Sequence, residues 1–257
     1  MKTKVYSVKK TKKQVPAILG MPGFVGTLKG GRIEQILQEL SQRGILGLGM
    51  MYDGIEKNVN KVICNFNLKK YLKNMQEAFE ILYNNPKIDN ERIGVIASSI
   101  SGAIFAYGIA NNKTNGISPK AYAGISPLMG WPYFGTEEQR YLLKIAAKRK
   151  AIDEFEITSV YDAQRGIKRV IPIECIKEME EIDGIAELEK RPLKNLEVLT
   201  LIGNLDERAS PSSMERAHYA LGGKPDGIRR YITGHALPIG DIKEPVVEFF
   251  ERALKSA

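Results

Sequence analysis

Residue types that build disulfide frameworks and metal centres are scarce in this chain of 257 residues, which has two cysteines and two histidines. Cys64 and Cys175 stand far apart in the sequence and lack the spacing of metal ligands. This usage predicts a reduced, cytoplasmic protein rather than a disulfide scaffold. Because two histidines offer few zinc ligands, we expect no metal, and nothing in the sequence implies a cofactor.

Long apolar segments are also lacking. Every apolar run is broken by glycine, serine or a charged residue within about ten residues, too short a run to span a bilayer. Residues 1–15 hold six lysines without the apolar core of a secretory signal, so none is expected. The formal net charge is +8, but basic and acidic residues are interleaved along the chain. That pattern is typical of a solvated surface, so we expect no nucleic-acid partner.

What remains is typical of an α/β domain, with hydrophobic residues making up 43% of the chain. Continuous apolar runs predict buried strands at residues 16–21, 45–51, 93–97 and 121–126. Amphipathic segments predict intervening helices at residues 32–43, 67–84 and 101–110. Further on, strands are predicted at residues 197–202 and 228–233, and a last helix at residues 246–254. The alternation favours β-α-β units and a mainly parallel sheet.

The alternation fails between residues 129 and 192, a charge-rich stretch with two helical segments. We interpret residues 129–192, the insertion, as a cap over the carboxyl edge of the sheet. Its aromatic residues are candidates to line an apolar substrate slot. They are Trp131, Tyr133, Phe134, Phe155 and Tyr161. They could equally form a small core of the insertion itself, and the sequence leaves both interpretations open.

Three serines at the end of the predicted strand at residues 93–97 are candidate nucleophiles. A strained strand–turn–helix that exposes a hydroxyl needs small residues two positions to either side. Ser98 has isoleucine at both positions, and Ser101 lies half a turn into the predicted helix. Ser99 has Ala97 and Ser101 around it and follows the strand directly. Ser99 is therefore the predicted nucleophile, the alternative being a serine that only caps the helix.

A base and a carboxylate follow in the chain. His235 comes just after the last predicted strand, and Gly234 frees the backbone to aim its ring. The other histidine, His218, lies within a helical pattern and is interpreted as a surface or packing residue. Asp206 follows the strand at residues 197–202, in the zone where open α/β sheets carry functional groups. Asp206 is therefore the predicted acid, with its neighbour Glu207 as a close competitor. A serine, a histidine and a carboxylate are the groups that acyl transfer needs.

These segments resemble a known family. Residues 93–102 (IGVIASSISG) resemble the nucleophile elbow of the α/β-hydrolase superfamily, residues 202–211 (IGNLDERASP) its acid loop, and residues 234–235 its histidine loop. Within it, the chain most resembles small microbial carboxylesterases of the feruloyl/cinnamoyl esterase and serine aminopeptidase-like group, which carry a cap at the position of the insertion. The resemblance implies an α/β-hydrolase fold: a mainly parallel central sheet, helices on both faces, a core of residues 1–128 and 193–257, and an inserted cap.

By that resemblance, the backbone N–H groups of Phe24 and Ile100 would form the oxyanion hole. The family has His-Gly before the first of these donors, whereas this chain reads MPGF at residues 21–24, and Pro22 has no N–H. Phe24 and Val25 therefore both remain candidates. A second departure is Ser101, which stands where glycine is usual.

The sequence thus predicts a serine carboxylesterase that hydrolyses short to medium acyl esters through an acyl-enzyme on Ser99. Thioesterase or peptidase activity on the same three residues stays open, because the triad serves all acyl groups. A catalytically silent hydrolase fold used as a binding module is a further alternative, which the altered loop at residues 21–24 keeps open. The expected partner is a small-molecule ester. The oligomeric state is left open, with a homodimer as one candidate.

Overall fold

The computed structural model describes residues 1–8, 13–23, 28–57, 60–114, 116–157, 166–193 and 195–255. The strands are β1 (Lys2–Tyr6), β2 (Val15–Met21), β3 (Leu46–Met51), β4 (Ile55–Lys57), β5 (Lys61–Cys64), β6 (Ile88–Ser98), β7 (Ala121–Ile125), β8 (Glu154–Glu156), β9 (Lys168–Pro172), β10 (Glu197–Gly203) and β11 (Ile228–Tyr231). The helices are α1 (Arg32–Gln42), α2 (Leu68–Tyr83), α3 (Ser101–Ala110), α4 (Glu137–Arg149), α5 (Ile176–Glu180), α6 (Gly184–Lys190), α7 (Pro211–Ala220) and α8 (Ile239–Lys255).

The large sheet has the strand order β1-β3-β2-β6-β7-β10-β11. β1 is antiparallel to β3, and every other neighbouring pair is parallel. All seven residues of β2 are buried, as the continuous apolar run predicts for a strand covered on both faces. The apolar faces of α1 and α8 pack on one side of the sheet, and those of α2, α3 and α6 on the other. The predicted mainly parallel α/β architecture is confirmed.

A second sheet, with the order β4-β5-β9-β8, joins the insertion to the rest of the molecule. β5 pairs in parallel with β9 of the insertion, from Lys61 opposite Lys168 to Ile63 opposite Val170. Lys61 also forms an ion pair with Glu154 of β8 at 2.5 Å. Apolar side chains of the insertion belong to the same continuous cluster as those of α2 and α3. The insertion is therefore packed against the main body through a shared core.

Two predicted boundaries were wrong. β6 begins at Ile88, five residues before the predicted start, because Val15 of β2 pairs with Ile88; the register then shifts, and regular pairing resumes with Ala17 opposite Ile93. α8 begins at Ile239 and contains Pro245, which we had expected to precede the helix. Among the described residues, no helix is long and apolar enough to cross a membrane.

His218 is a packing residue on α7, not a surface group. Its ring is completely buried. Nε2 lies 2.7 Å from the carbonyl oxygen of Lys224, which only accepts, so Nε2 carries the proton. Nδ1 is left to accept from the Thr200 hydroxyl at 2.9 Å. Burial lowers the pKa of this imidazole, an effect that the Lys224 carbonyl and nearby acidic residues partly oppose.

Stability is therefore expected to depend on the protonation of His218. Below about pH 6.5, the usual histidine pKa, His218 binds a proton in the unfolded chain, whereas its lowered pKa disfavours proton binding in the folded chain. The contribution of neutral, buried His218 to the free energy of unfolding is therefore present above that pH and is lost as the pH falls. Urea unfolding at pH 7.5 and 5.0 should show a larger loss for the wild type than for His218→Gln. At pH 7.5 the variant should be about 1–3 kcal/mol less stable, since it leaves Thr200 without its acceptor. Equal losses in the two proteins would contradict this assignment.

Candidate active site

Ser99 lies at the turn between β6 and α3, with its backbone in the left-handed region at φ 53°. Few non-glycine residues adopt this conformation, and such outliers cluster at functional sites. Three hydrogen bonds hold the turn: the Ser99 N–H donates to Ile125, and the Ser99 carbonyl accepts from Gly102 and Leu128. The partly exposed hydroxyl therefore stands at the carboxyl edge of the central strand, as the small flanking residues predict.

The structure brings Ser99, His235 and Asp206 together. Ser99 Oγ lies 2.9 Å from His235 Nε2, and His235 Nδ1 lies 2.8 Å from Asp206 Oδ2. Because a carboxylate only accepts, Nδ1 carries the proton toward Asp206, and Nε2 is free to accept the proton of the Ser99 hydroxyl. The Asp206 side chain is fully buried and the His235 side chain is 11% exposed. The arrangement can deprotonate the partly exposed hydroxyl of Ser99.

The acid loop orients Asp206 by its own backbone. Asp206 Oδ1 accepts hydrogen bonds from the N–H groups of Arg208 at 2.9 Å and Ala209 at 3.0 Å. These bonds leave Oδ2 for the imidazole. The competing carboxylate, Glu207, is 67% exposed and forms a long ion pair with Arg208 at 3.7 Å. Of the two adjacent acids, it is thus Asp206, the one favoured from the sequence, that contacts His235.

Gly203 allows the acid and histidine loops to meet. A Cβ atom at this position would overlap the carbonyl oxygens of Thr233 and Gly234. Backbone hydrogen bonds tie the two loops at the same place, with the Leu205 N–H donating to Thr233 at 3.0 Å. A residue with a side chain at the end of β10 would push His235 away from Asp206.

The candidate oxyanion donors are described only in part. Ile100 directly follows Ser99 at the N-terminal end of α3, where backbone N–H groups have no partner within the helix. Phe24 and Val25 lie outside the described residues. The described part of their loop does reach the nucleophile, because a Cβ atom on Gly23 would lie 3.0 Å from Ser99 Cβ. Only a residue without a side chain fits there without displacing its neighbours.

The aromatic residues of the insertion lie beside the acid loop. Phe134 forms an isolated antiparallel bridge with Ala209, and its ring stacks on Trp131 at a centroid distance of 5.7 Å. Trp131 is only 4% exposed, while Phe134 is partly exposed. The Tyr133 hydroxyl donates to Asp183 within the insertion. Tyr161 lies outside the described residues.

Sequence reasoning missed Arg208, which links the acid loop to the insertion. Its guanidinium donates to the carbonyl of Ile157 at 2.9 Å, and its carbonyl accepts from the Gly135 N–H at 2.8 Å. The only signal was a basic residue two positions after the predicted acid. Among the described residues, no cluster of side chains has the composition of a metal site, and both cysteines are buried thiols that form no disulfide.

No protein-family model matches the sequence, and no curated protein sequence matches it. Several solved structures, however, match the fold of this chain. Est1E from Butyrivibrio proteoclasticus with ferulic acid bound matches with a TM-score of 0.71 at 15% identity, over 99% of this chain and 95% of that one. A monoacylglycerol lipase from Paleococcus ferrophilus matches with a TM-score of 0.66 at 14% identity, over 98% of this chain and 100% of that one.

A third match is acetyl xylan esterase 1 from Thermoanaerobacterium sp. JW/SL YS485, with a TM-score of 0.59 at 18% identity, over 98% of this chain and 78% of that one. At these identities, the matches report on backbone architecture. They agree with the order and direction of the strands in the large sheet. The chain has the α/β-hydrolase fold.

Proposed function

We propose that the protein is a serine carboxylesterase that hydrolyses short to medium acyl esters through an acyl-enzyme on Ser99. The observation that carries the proposal is the continuous hydrogen-bond chain from Ser99 Oγ through His235 to Asp206. It starts at a serine held in the left-handed backbone conformation. The two buried cysteines form no disulfide, which is compatible with a cytoplasmic location, and that location belongs to the same proposal.

The geometry supports a two-step reaction. Ser99 Oγ attacks the ester carbonyl as its proton passes to His235 Nε2, and Asp206 stabilises the imidazolium that forms. The oxygen of the tetrahedral intermediate, now negative, accepts from the Ile100 N–H and from a donor in the loop after β2. The intermediate collapses, and His235 gives its proton to the departing alcohol. Water then attacks the acyl-enzyme with His235 as base, which releases the acid and restores Ser99.

The ester class rests on the solved structures with this fold. One holds ferulic acid, and others are a monoacylglycerol lipase and an acetyl xylan esterase. All three names point to carboxylic acids or their esters with alcohols or sugars. Thioesters and peptides use the same nucleophile and base, so they are the alternatives that a comparison of substrates must rank.

The insertion supplies the acyl slot in this proposal. Phe134 is the aromatic residue best placed for it, because it is partly exposed and is bridged to the acid loop at Ala209. Trp131 supports its ring by stacking. Tyr133 lies next to both and contributes apolar surface, while its hydroxyl is held by Asp183.

Ser99→Ala is expected to lower kcat for p-nitrophenyl butyrate by at least about 10³-fold, because no other group can form the acyl-enzyme. The matched control is Ser98→Ala, which removes the adjacent serine hydroxyl and should stay within a few-fold of the wild type. A fluorophosphonate probe should label the wild type and Ser98→Ala but not Ser99→Ala. An unlabelled wild type would favour a silent binding module instead. Parallel assays with acyl-CoA and aminoacyl anilides rank the other acyl groups, and a higher kcat/KM on either would overturn the ester assignment.

Phe134→Ala is expected to lower kcat/KM for p-nitrophenyl hexanoate by about tenfold, while the value for the acetate changes by less than about threefold. A longer acyl chain loses the apolar contact of the ring, and such a contact contributes about 1–3 kcal/mol. Tyr141→Ala is the control, because Tyr141 is an aromatic residue of the insertion that is 62% exposed on α4. Equal losses on both esters would place Phe134 in the core of the insertion rather than in the slot.

A further inference from the structure

Ser101, which stands where the family resemblance predicts glycine, carries a hydroxyl in the middle of a buried hydrogen-bond chain. Ser101 is 0% exposed. Its Oγ lies 2.5 Å from the carbonyl oxygen of Pro22 and 2.8 Å from the hydroxyl of Tyr52. A carbonyl only accepts, so the single proton of Ser101 goes to Pro22, and Tyr52 must donate to Ser101. The hydrogen bonds therefore run in one direction, from Tyr52 through Ser101 to the loop after β2.

The acceptor at the end of these hydrogen bonds, the carbonyl of Pro22, belongs to the backbone segment that lies against Ser99. Pro22 has no N–H, so its carbonyl is the one backbone hydrogen-bonding group that Pro22 itself offers. The next residue, Gly23, lies against Ser99, with its Cβ position 3.0 Å from Ser99 Cβ. The described peptides are all trans, so the carbonyl of Pro22 and the N–H of Gly23 point in opposite directions. Fixing the carbonyl therefore fixes the plane of a peptide in contact with Ser99.

Such a tie matters because oxyanion donors act only when they are held in place before the reaction. Removing one donor of this kind costs about 10²–10³ in kcat. A displacement of about 1 Å can cost about 10²-fold. The candidate donors from this loop, Phe24 and Val25, come one and two residues after Gly23 in the sequence. The Pro22–Gly23 peptide that Ser101 holds is therefore the described backbone nearest to them in the sequence.

We propose that Ser101 is a positioning residue: its hydroxyl, oriented by Tyr52, holds the Pro22–Gly23 peptide against Ser99 so that the loop presents its N–H donor to the oxyanion. The inference rests on the proposed function, because it assigns a role in stabilising the charge that attack by Ser99 creates. Ser101 itself does not touch the substrate. It acts through the backbone of the loop.

The chain offers a matched control for Tyr52. The ring of Tyr71 stacks on that of Tyr52 at a centroid distance of 4.1 Å and an angle of 6°. Both tyrosines are buried. The Tyr71 hydroxyl, however, has no hydrogen-bond partner among the described residues. Tyr71→Phe thus removes a buried hydroxyl from the same stack without breaking the chain to Pro22.

The test compares Ser101→Ala, Ser101→Gly, Tyr52→Phe, Tyr71→Phe and the double variant Tyr52→Phe/Ser101→Ala by steady-state kinetics on p-nitrophenyl butyrate. Phenylboronic acid, which forms a tetrahedral adduct with an active serine, serves as the transition-state mimic. Both Ser101 variants should lose about 10–100-fold in kcat with KM within threefold, and boronate affinity should fall by the same factor. Tyr52→Phe should lose less, about 3–10-fold, and Tyr71→Phe should match the wild type. The double variant should equal Ser101→Ala within twofold, since Tyr52 acts through Ser101.

If KM changes in the Ser101 variants while the ratio of boronate affinity to KM stays unaltered, the hydroxyl serves only packing, and the inference is overturned. Wild-type kcat and boronate affinity in Ser101→Ala would overturn it as well, and the proposed function would stand because the wild type still turns over ester. A wild type that neither hydrolyses esters nor reacts with fluorophosphonate would overturn both. If Ser101→Ala fails to fold, Ser101→Gly decides by the same criteria, because it also removes the hydroxyl.

Discussion

The left-handed backbone of Ser99 is the constraint on which the site depends. A non-glycine residue in a sparsely populated conformation costs about 1–3 kcal/mol and persists only where its surroundings fix it. Here the carbonyl of Ile125 on the neighbouring strand holds the Ser99 N–H, while Gly102 and Leu128 hold its carbonyl. Since β6 lies in the centre of the sheet, between β2 and β7, the turn is anchored on both sides. The strain lifts the hydroxyl out of the strand, toward the loop that carries His235.

The parallel arrangement of β6, β7, β10 and β11 brings the side chains of the three candidate catalytic residues to one edge. Each of Ser99, Asp206 and His235 follows a strand of this group, so all three leave the sheet in the same direction. The final approach is made by backbone rather than by side chains. Gly203 lets the histidine loop touch the end of β10, and two N–H groups turn one oxygen of Asp206 away from the imidazole. Arg208 then ties this loop to the insertion, which couples the acid to the proposed slot.

The large sheet and the three central residues could be predicted from the sequence because their signals are local. Strands buried on both faces read as continuous apolar runs, and a tight turn requires small flanking residues. The second sheet could not be predicted in this way. β5 and β9 are short and carry charged residues such as Lys61 and Lys168, and their partners lie about a hundred residues apart in the chain. The early start of β6 was missed for the same reason, because Ile88 pairs with Val15, a residue distant in the chain, ahead of an irregular stretch that contains Asp89 and Asn90. Asp206 was favoured over Glu207 from the sequence, but the hydrogen bonds that distinguish the two are contacts that only the folded chain makes.

Ser101 shows how a departure from a local pattern can be compensated elsewhere in the structure. A hydroxyl buried without a partner costs about 1–3 kcal/mol, so serine in place of glycine beside the nucleophile is tolerable only when its bonds are made. Tyr52 and Pro22 make them on either side. Other polar atoms nearby, the hydroxyls of Tyr71 and Tyr122, have no partner among the described residues. Among the described residues, these two hydroxyls and that of Ser126 are buried without a partner, whereas the hydroxyl that reaches the loop beside Ser99 is fully bonded. That selectivity is expected if catalysis at Ser99 depends more on the position of this loop than on the stability of the surrounding core.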